Sequence, residues 1–274
     1  HLKVSKNLHL VNNATYGFRV LAGCRAFLLP HQISTVARCF ETTPVRYMLA
    51  DEVGLGKTVE ACSVLSILAS ENKDLRVLIV VPGALASQWK NELHYKYGLN
   101  ADINSPRSRI CLLSMEDIGK SLLTLSTPWD LAIVDETHRL LANDAWYNQV
   151  QSLSRRVKHI LLLSATPIQD RNEEYRRLLA LLNPEQYENM SAERFAWMVK
   201  RQKRIQKSAN LLLGYLERYD EYTEIIIDDL NNIAETLEDA AFEKMVQEID
   251  LNAKDKGLSK VKQALAYICE LKER

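Results

Sequence analysis

Short apolar runs separated by amphipathic stretches dominate the first two thirds of the chain. Val45 to Leu49, Leu75 to Val81, Ile110 to Ser114, Leu131 to Val134 and His159 to Leu163 are each rich in aliphatic residues and each ends in polar or turn-forming residues. Apolar runs of this length without polar alternation predict strands buried on both faces, as in a parallel sheet. Between them lie stretches with helical spacing: Ile33 to Phe40, Thr58 to Ser70, Ala84 to Tyr97, Met115 to Leu125, Ala145 to Leu153 and Glu173 to Leu182. Leu85, Trp89 and Leu93 share one face of the third. Pro30 suits a first helical turn, where a missing N–H costs nothing, and Asn183-Pro184 ends the last helix of the series. Strands alternating with helices through short connections predict an α/β fold, a parallel sheet covered by helices on both faces. A patch of alternation near Leu8 to Val11 adds a candidate edge strand.

From about Asn172 the pattern becomes helical. Ala192 to Leu213, Glu217 to Leu237, Ala240 to Leu251 and Leu258 to Leu271 carry helical periodicity with charged faces, and only Ile225-Ile226-Ile227 is β-branched enough to read as a strand. The expected organisation is an α/β lobe over residues 1–184 and an all-α protrusion over residues 185–274. Formal net charge is zero, so nucleic-acid contact would have to come from local patches. One such patch, Lys200 to Lys207, reads first as a solvated helix face and second as a DNA-phosphate contact. The acidic stretch Glu217 to Asp239 would repel DNA and suits solvent, a protein partner or another lobe. The five cysteines lack paired metal-type spacing and sit mostly in apolar contexts, as reduced, buried thiols do. No signal peptide or bilayer-spanning run is evident, and a start at His1 suggests a fragment or processed chain.

The chemistry concentrates at the ends of the predicted strands. Asp51-Glu52-Val53-Gly54-Leu55-Gly56-Lys57-Thr58 joins the first strand to a helix and closes on Gly-Lys-Thr, the pattern of a phosphate-binding loop. Backbone N–H groups at the helix start and the helix dipole would hold the anion. Gly54 and Gly56 allow close approach, Lys57 would reach the outer phosphates, and the Thr58 hydroxyl would bind Mg²⁺. Asp51 occupies the position where the general pattern has glycine. Gln32, at a helix start, has an amide able to read an adenine edge, or is simply an exposed glutamine. Asp135 and Glu136 follow the fourth apolar run. They suit a metal-holding carboxylate and a base for the attacking water, with helix capping as the alternative. Ser164 and Thr166 offer hydroxyls at the fifth strand end, or a plain turn before Pro167.

In order and spacing, the segments Phe27 to Gln32, Asp51 to Thr58, Leu78 to Trp89, Asp135 to His138 and Ser164 to Pro167 resemble the first RecA-like lobe of a superfamily-two helicase motor. The run Asp51 to Ala61 is similar to the phosphate loop of SWI/SNF-type ATPases, where Asp commonly replaces the first glycine. Leu29-Pro30-His31-Gln32 and Val77 to Trp89 resemble the RapA-like bacterial branch. The resemblance covers Phe27 to Pro184 and weakens over the helical tail. It implies a P-loop ATPase using ATP and Mg²⁺. Gln32 would recognise adenine, the loop from Asp51 to Thr58 would bind phosphates and metal, and Lys57, Asp135 and Glu136 would carry catalysis. Ser164 and Thr166 would couple nucleotide state to DNA, and His138 would link to them or is a plain helix-start histidine. Thr137 stands where the family usually has alanine, which implies tuning rather than loss.

The same resemblance implies duplex DNA as partner and a second RecA-like lobe in the full-length protein. It implies a bacterial, cytoplasmic, nucleoid-associated setting without membrane contact, and a protein partner such as RNA polymerase or a defence-system subunit. The expected activity is ATP-driven movement on duplex DNA or remodelling of protein–DNA complexes, in transcription recycling or antiphage defence. The alternatives are a binding or regulatory module without turnover, and a strand-separating helicase. No second strand–helix alternation follows Pro184, so the chain alone is expected to bind ATP weakly and hydrolyse it slowly.

Overall fold

The computed structural model describes residues 21, 23–26, 28–50, 55–164, 172–215, 219–249 and 254–272. The candidate edge strand near residue 8 lies outside them. In chain order the first elements are α1 (Pro30–Cys39), β1 (Arg46–Leu49), α2 (Lys57–Glu71), β2 (Val77–Val81), α3 (Ala86–Tyr97), β3 (Asp102–Ile103) and β4 (Ile110–Ser114). They are followed by α4 (Leu122–Ser126), β5 (Leu131–Val134), α5 (Thr137–Leu141), α6 (Asp144–Ser154), β6 (His159–Leu163), α7 (Asn172–Leu182) and α8 (Pro184–Tyr187). Among the described residues four further helices follow: α9 (Ala192–Tyr215), α10 (Tyr219–Leu237), α11 (Ala240–Gln247) and α12 (Lys254–Lys272).

The six strands pair in the order β1-β6-β5-β2-β4-β3, and every pairing is parallel. Each long strand divides its side chains between two cores, because successive residues of a strand point to opposite faces. Val77, Ile79 and Val81 of β2 join Ile133 and Leu161 in a core under α1, α2 and α3. Leu78 and Val80 join Val134 and Leu162 in the opposite core, under α6 and α7. Burial on both faces is why these strands read as continuous apolar runs.

Two differences from the sequence expectation have local causes. β3 is a two-residue strand with both residues exposed, so it left no apolar run to detect. The stretch predicted as one helix over Met115 to Leu125 is a 3₁₀ segment, Met115–Lys120, followed by the short α4. Gly119 lies within that tighter segment, where its high helix cost disfavours a longer α-helix.

The chain divides into two compact units, residues 1–190 and 191–274. The first unit holds on to α8 beyond the sequence-expected boundary at residue 184. Asn183 caps α8 by accepting from the Gln186 N–H at 3.2 Å. Arg176 donates to the Tyr187 and Glu188 carbonyls at 3.1 and 3.3 Å, and Arg155 pairs with the Glu188 carboxylate. The second unit has its own core, with Ile226, Leu230 and Ile233 of α10 against Phe242, Val261 and Ala264. That spacing of four and three residues places the ambiguous Ile225-Ile226-Ile227 inside a helix, with Ile226 buried and Ile225 exposed. Burial of a helical stripe outweighed β-branched propensity there.

Candidate active site

β1, β6 and β5 are neighbours, and their carboxyl ends lead to Ala50 before the candidate loop, to Ser164 and to Asp135 respectively. The Ser164 N–H donates to the Leu49 carbonyl at 3.0 Å, and the Asp135 N–H donates to the Val80 carbonyl at 2.9 Å. Three segments distant in sequence are thereby fixed at one edge of the sheet, where open α/β sheets bind ligands. Asp51, Glu52, Val53 and Gly54 of the loop lie outside the described residues, as does Thr166.

The described end of the loop is built for an anion. Gly56 takes φ +90° as the N-cap of α2, and no side chain caps this helix. The left-handed conformation favours glycine, and the N–H groups and dipole at a helix start favour an anion. Lys57 and Thr58 begin the helix, both half-buried.

Gln32 sits directly against this turn and is 5% exposed, so it is not a solvated helix-start residue. Its Oε1 accepts from the Leu29 N–H at 2.9 Å, returning to the start of its own helix as a capping glutamine does. Its Nε2 donates to the Leu55 carbonyl at 2.8 Å. A Cβ added to Gly56 would stand 2.3 Å from Nε2, so any other residue would strain φ and displace the Gln32 amide. One N–H and one lone pair of the Gln32 amide remain beyond these two bonds.

Asp135 is 7% exposed and both of its oxygens are held. Oδ2 accepts from the Trp89 indole N–H at 2.8 Å, and Oδ1 accepts from the Glu136 N–H at 2.8 Å. Burial raises this carboxyl above the usual range, opposed by those two hydrogen bonds and, more weakly, by the charge of Lys57. Glu136 takes φ +48° as the residue that opens α5. His138 Nδ1 lies 3.2 Å from Glu136 Oε2, yet that buried oxygen has no partner in hydrogen-bonding geometry. Thr137 is fully buried and its hydroxyl also lacks a hydrogen bond.

These features fit a nucleotide with its metal. An uncapped helix start suits phosphate, and a carboxylate oxygen without a hydrogen bond suits a water to be activated. Among the described residues no group of three or more His, Cys, Asp and Glu side chains would hold a metal ion by itself. Mg²⁺ is commonly bound through one or two carboxylates plus substrate phosphates, so Thr58 and Asp135 suffice as protein donors.

The Trp89 link to Asp135 was not apparent from sequence, where Trp89 read as a core residue of a helical stripe. Glu116 was also missed. It accepts hydrogen bonds from the Gly83 N–H at 2.9 Å, from Arg139 at 3.2 Å and from the Ser114 hydroxyl. Glu116 thus pins the Pro82-Gly83 turn at the end of β2, beside the Asp135 strand. The Ser114 hydrogen bond, foremost, holds its carboxyl below the usual range.

The family model described as the SNF2-related domain matches residues 31–233. The chain is 39% identical over 166 residues to an uncharacterized ATP-dependent helicase, YqhH, of Bacillus subtilis, covering 57% of this chain and 29% of that protein. It is 31% identical over 278 residues to the RNA polymerase-associated protein RapA of Pasteurella multocida, covering 90% of this chain and 27% of that protein. The chain thus spans under a third of the curated relatives it matches. In fold it resembles the Sulfolobus solfataricus SWI2/SNF2 ATPase core solved in complex with dsDNA, with a TM-score of 0.56 at 17% identity over 81% of this chain and 60% of that one. With the model spanning most of the sequence and the sheet shared with that ATPase core, this chain belongs to the SNF2-related domain family.

Proposed function

We propose that this chain is the ATP-binding lobe of a DNA-dependent ATPase that moves on duplex DNA and displaces or remodels bound protein. The observation that carries the proposal is the pairing of a held carboxylate, Asp135, with an adjacent carboxylate, Glu136, whose Oε2 has no hydrogen bond, at the strand end beside an uncapped helix start. The loop backbone from Asp51 to Gly56 and the first-turn N–H groups bind the phosphates, with Lys57 on the outer ones. Thr58 and Asp135 would hold Mg²⁺, which when bound would supply positive charge against the charge that develops in phosphoryl transfer. Glu136 orients the attacking water and accepts its proton. The remaining donor and acceptor of Gln32 pair with adenine. His138, Ser164 and Thr166 link this site to DNA.

The relatives named RNA polymerase-associated make RNA polymerase on DNA the candidate complex on which the intact protein acts. A second α/β lobe would complete the site by supplying the arginine that such phosphoryl transfers use, worth about three to five orders of magnitude in rate. The test is Mg-ATP binding and turnover with Lys57→Ala and Glu136→Gln. Lys57→Ala is expected to weaken nucleotide binding at least about tenfold, whereas Glu136→Gln keeps binding and abolishes turnover in the longer protein. The chain alone is expected to bind Mg-ATP and hydrolyse it only slowly. Unchanged binding in Lys57→Ala refutes the site, and brisk DNA-stimulated turnover by the chain alone refutes the need for a second lobe.

A further inference from the structure

Helix α9 carries two stripes. One is buried: Phe195, Ile205, Ala209 and Leu212 are 2%, 9%, 8% and 0% exposed. The other, Trp197, Lys200, Arg204, Lys207 and Leu211, recurs at three- and four-residue intervals on the opposite side and is exposed throughout. Trp197 is 51% and Leu211 44% exposed, one at each end of the basic run. From Trp197 to Leu211 the sequence has five basic and no acidic residues, in a chain whose totals are 35 of each. This local imbalance is invisible in the net charge.

The stripe is also organised. The Arg201 guanidinium lies 5.0 Å from the Trp197 ring centre and donates to the Thr236 carbonyl at 2.6 Å and to the Leu237 carbonyl, at the end of α10. Arg201 is thereby occupied in holding the indole and the two helices together. Lys200, Arg204 and Lys207 have no ion pair or hydrogen bond among the described residues. Glu235 and Glu238 border the hollow that Trp197, Lys200, Arg201 and Arg204 line, and so limit the basic surface on the α10 side.

We infer that the Trp197–Leu211 face of α9 binds the phosphodiester backbone of double-stranded DNA, independently of sequence. Lys200 to Lys207 spans about 10 Å at 1.5 Å per residue, and duplex DNA presents a charge about every 1.7 Å of its axis. Three cations on that span meet several phosphates of one backbone, and the indole lies against the sugar surface. Between Trp197 and Leu211 the described residues offer one exposed aromatic and not a series of them, which favours a duplex over a single strand read by successive stacking. This inference rests on the proposal that the protein works on duplex DNA, and adds to it a contact in the helical unit.

The test uses the whole chain and fluorescence anisotropy of a labelled duplex of about 30 base pairs, from about 50 to 300 mM KCl. Replacing Lys200, Arg204 and Lys207 together by Ala is expected to flatten the slope of log affinity against log salt by about 2.7, the value for three lost phosphate contacts. Trp197→Ala is expected to weaken binding without altering that slope. All four side chains are exposed, so Mg-ATP binding and circular dichroism serve as controls for folding. Duplex binding by the wild-type chain that is unchanged in the triple variant overturns the α9 face while leaving the DNA proposal standing. Absence of duplex binding by the wild-type chain at the lowest salt overturns both. Displacement of the duplex by poly-glutamate as effectively as by unlabelled duplex, charge for charge, overturns the assignment to DNA.

Discussion

Trp89 is the side chain through which α3 reaches the candidate metal ligand. Its indole N–H fixes Asp135 Oδ2 at 2.8 Å, and Trp89 itself is 1% exposed. Trp89→Phe keeps the aromatic bulk and deletes the donor. Loss of an outer partner of a metal ligand typically weakens metal affinity by about tenfold or more, so Trp89→Phe is expected to weaken Mg-dependent nucleotide binding by about that factor. Binding measured in EDTA should stay unchanged, and equal loss in both conditions would assign Trp89 a packing role alone. Sequence reasoning singled out Lys57, Asp135 and Glu136 as candidates because a phosphate-loop pattern and a carboxylate pair have few other uses in that order. It could not reveal Trp89, whose partner lies 46 residues away and whose helical spacing already explained its burial. Gln32 was legible as a residue type, while its bond to Leu55 and its contact with Gly56 came only from the fold.

At the scale of elements, the strongly apolar strands were readable because both of their faces are buried. The exposed β3 and the broken helical stretch after β4 were not. Arg46 shows the same limit for a side chain that connects elements. From the start of β1 its guanidinium donates to the carbonyls of Ser154, Val157, Lys158, Leu181 and Leu182, at 2.6 to 3.4 Å. These carbonyls lie at or just beyond the ends of α6 and α7, where helices leave acceptors unsatisfied and a positive charge is favourable. Arg46 therefore ties the strand that feeds the phosphate loop to two helices of the opposite layer. In sequence it is one cation at the head of an apolar run. Arg46→Met is expected to cost about 2 to 4 kcal/mol of stability, from charged hydrogen bonds lost at two helix ends. Arg46→Lys should recover only part of that, because a compact ammonium cannot address acceptors spread across both ends. Urea midpoints of the two variants give the comparison, and a shift in Arg46→Met below the urea-curve error would show the carbonyls are satisfied without it.

For the whole molecule, the two units have separate cores, and only the sheet unit contains a buried histidine that gives it a distinct acid response. His159, 6% exposed, accepts the Val45 N–H on Nδ1 at 3.0 Å, which requires the neutral ring. Burial, foremost, pushes its pKa down to about 4, with Lys158 and Arg46 adding to the effect and Asp130 opposing it. In the unfolded chain the ring titrates at about 6.5. Between those values the unfolded state binds the extra proton, so this contribution is complete above the unfolded value and is lost as pH falls toward the folded one. The expected loss between pH 7 and pH 5 is about 2 kcal/mol. His159→Gln retains an acceptor for Val45 and removes the titration, so its stability should decline less over the same interval, by about that amount. Amide exchange locates the effect: protection of β1, β5 and β6 should fall with pH faster in the wild type than in His159→Gln, while the buried stripe of α10 should respond alike in both. Parallel pH slopes for the two proteins would show that His159 titrates alike in the folded and unfolded chains, and that its bond to Val45 does not hold the ring neutral.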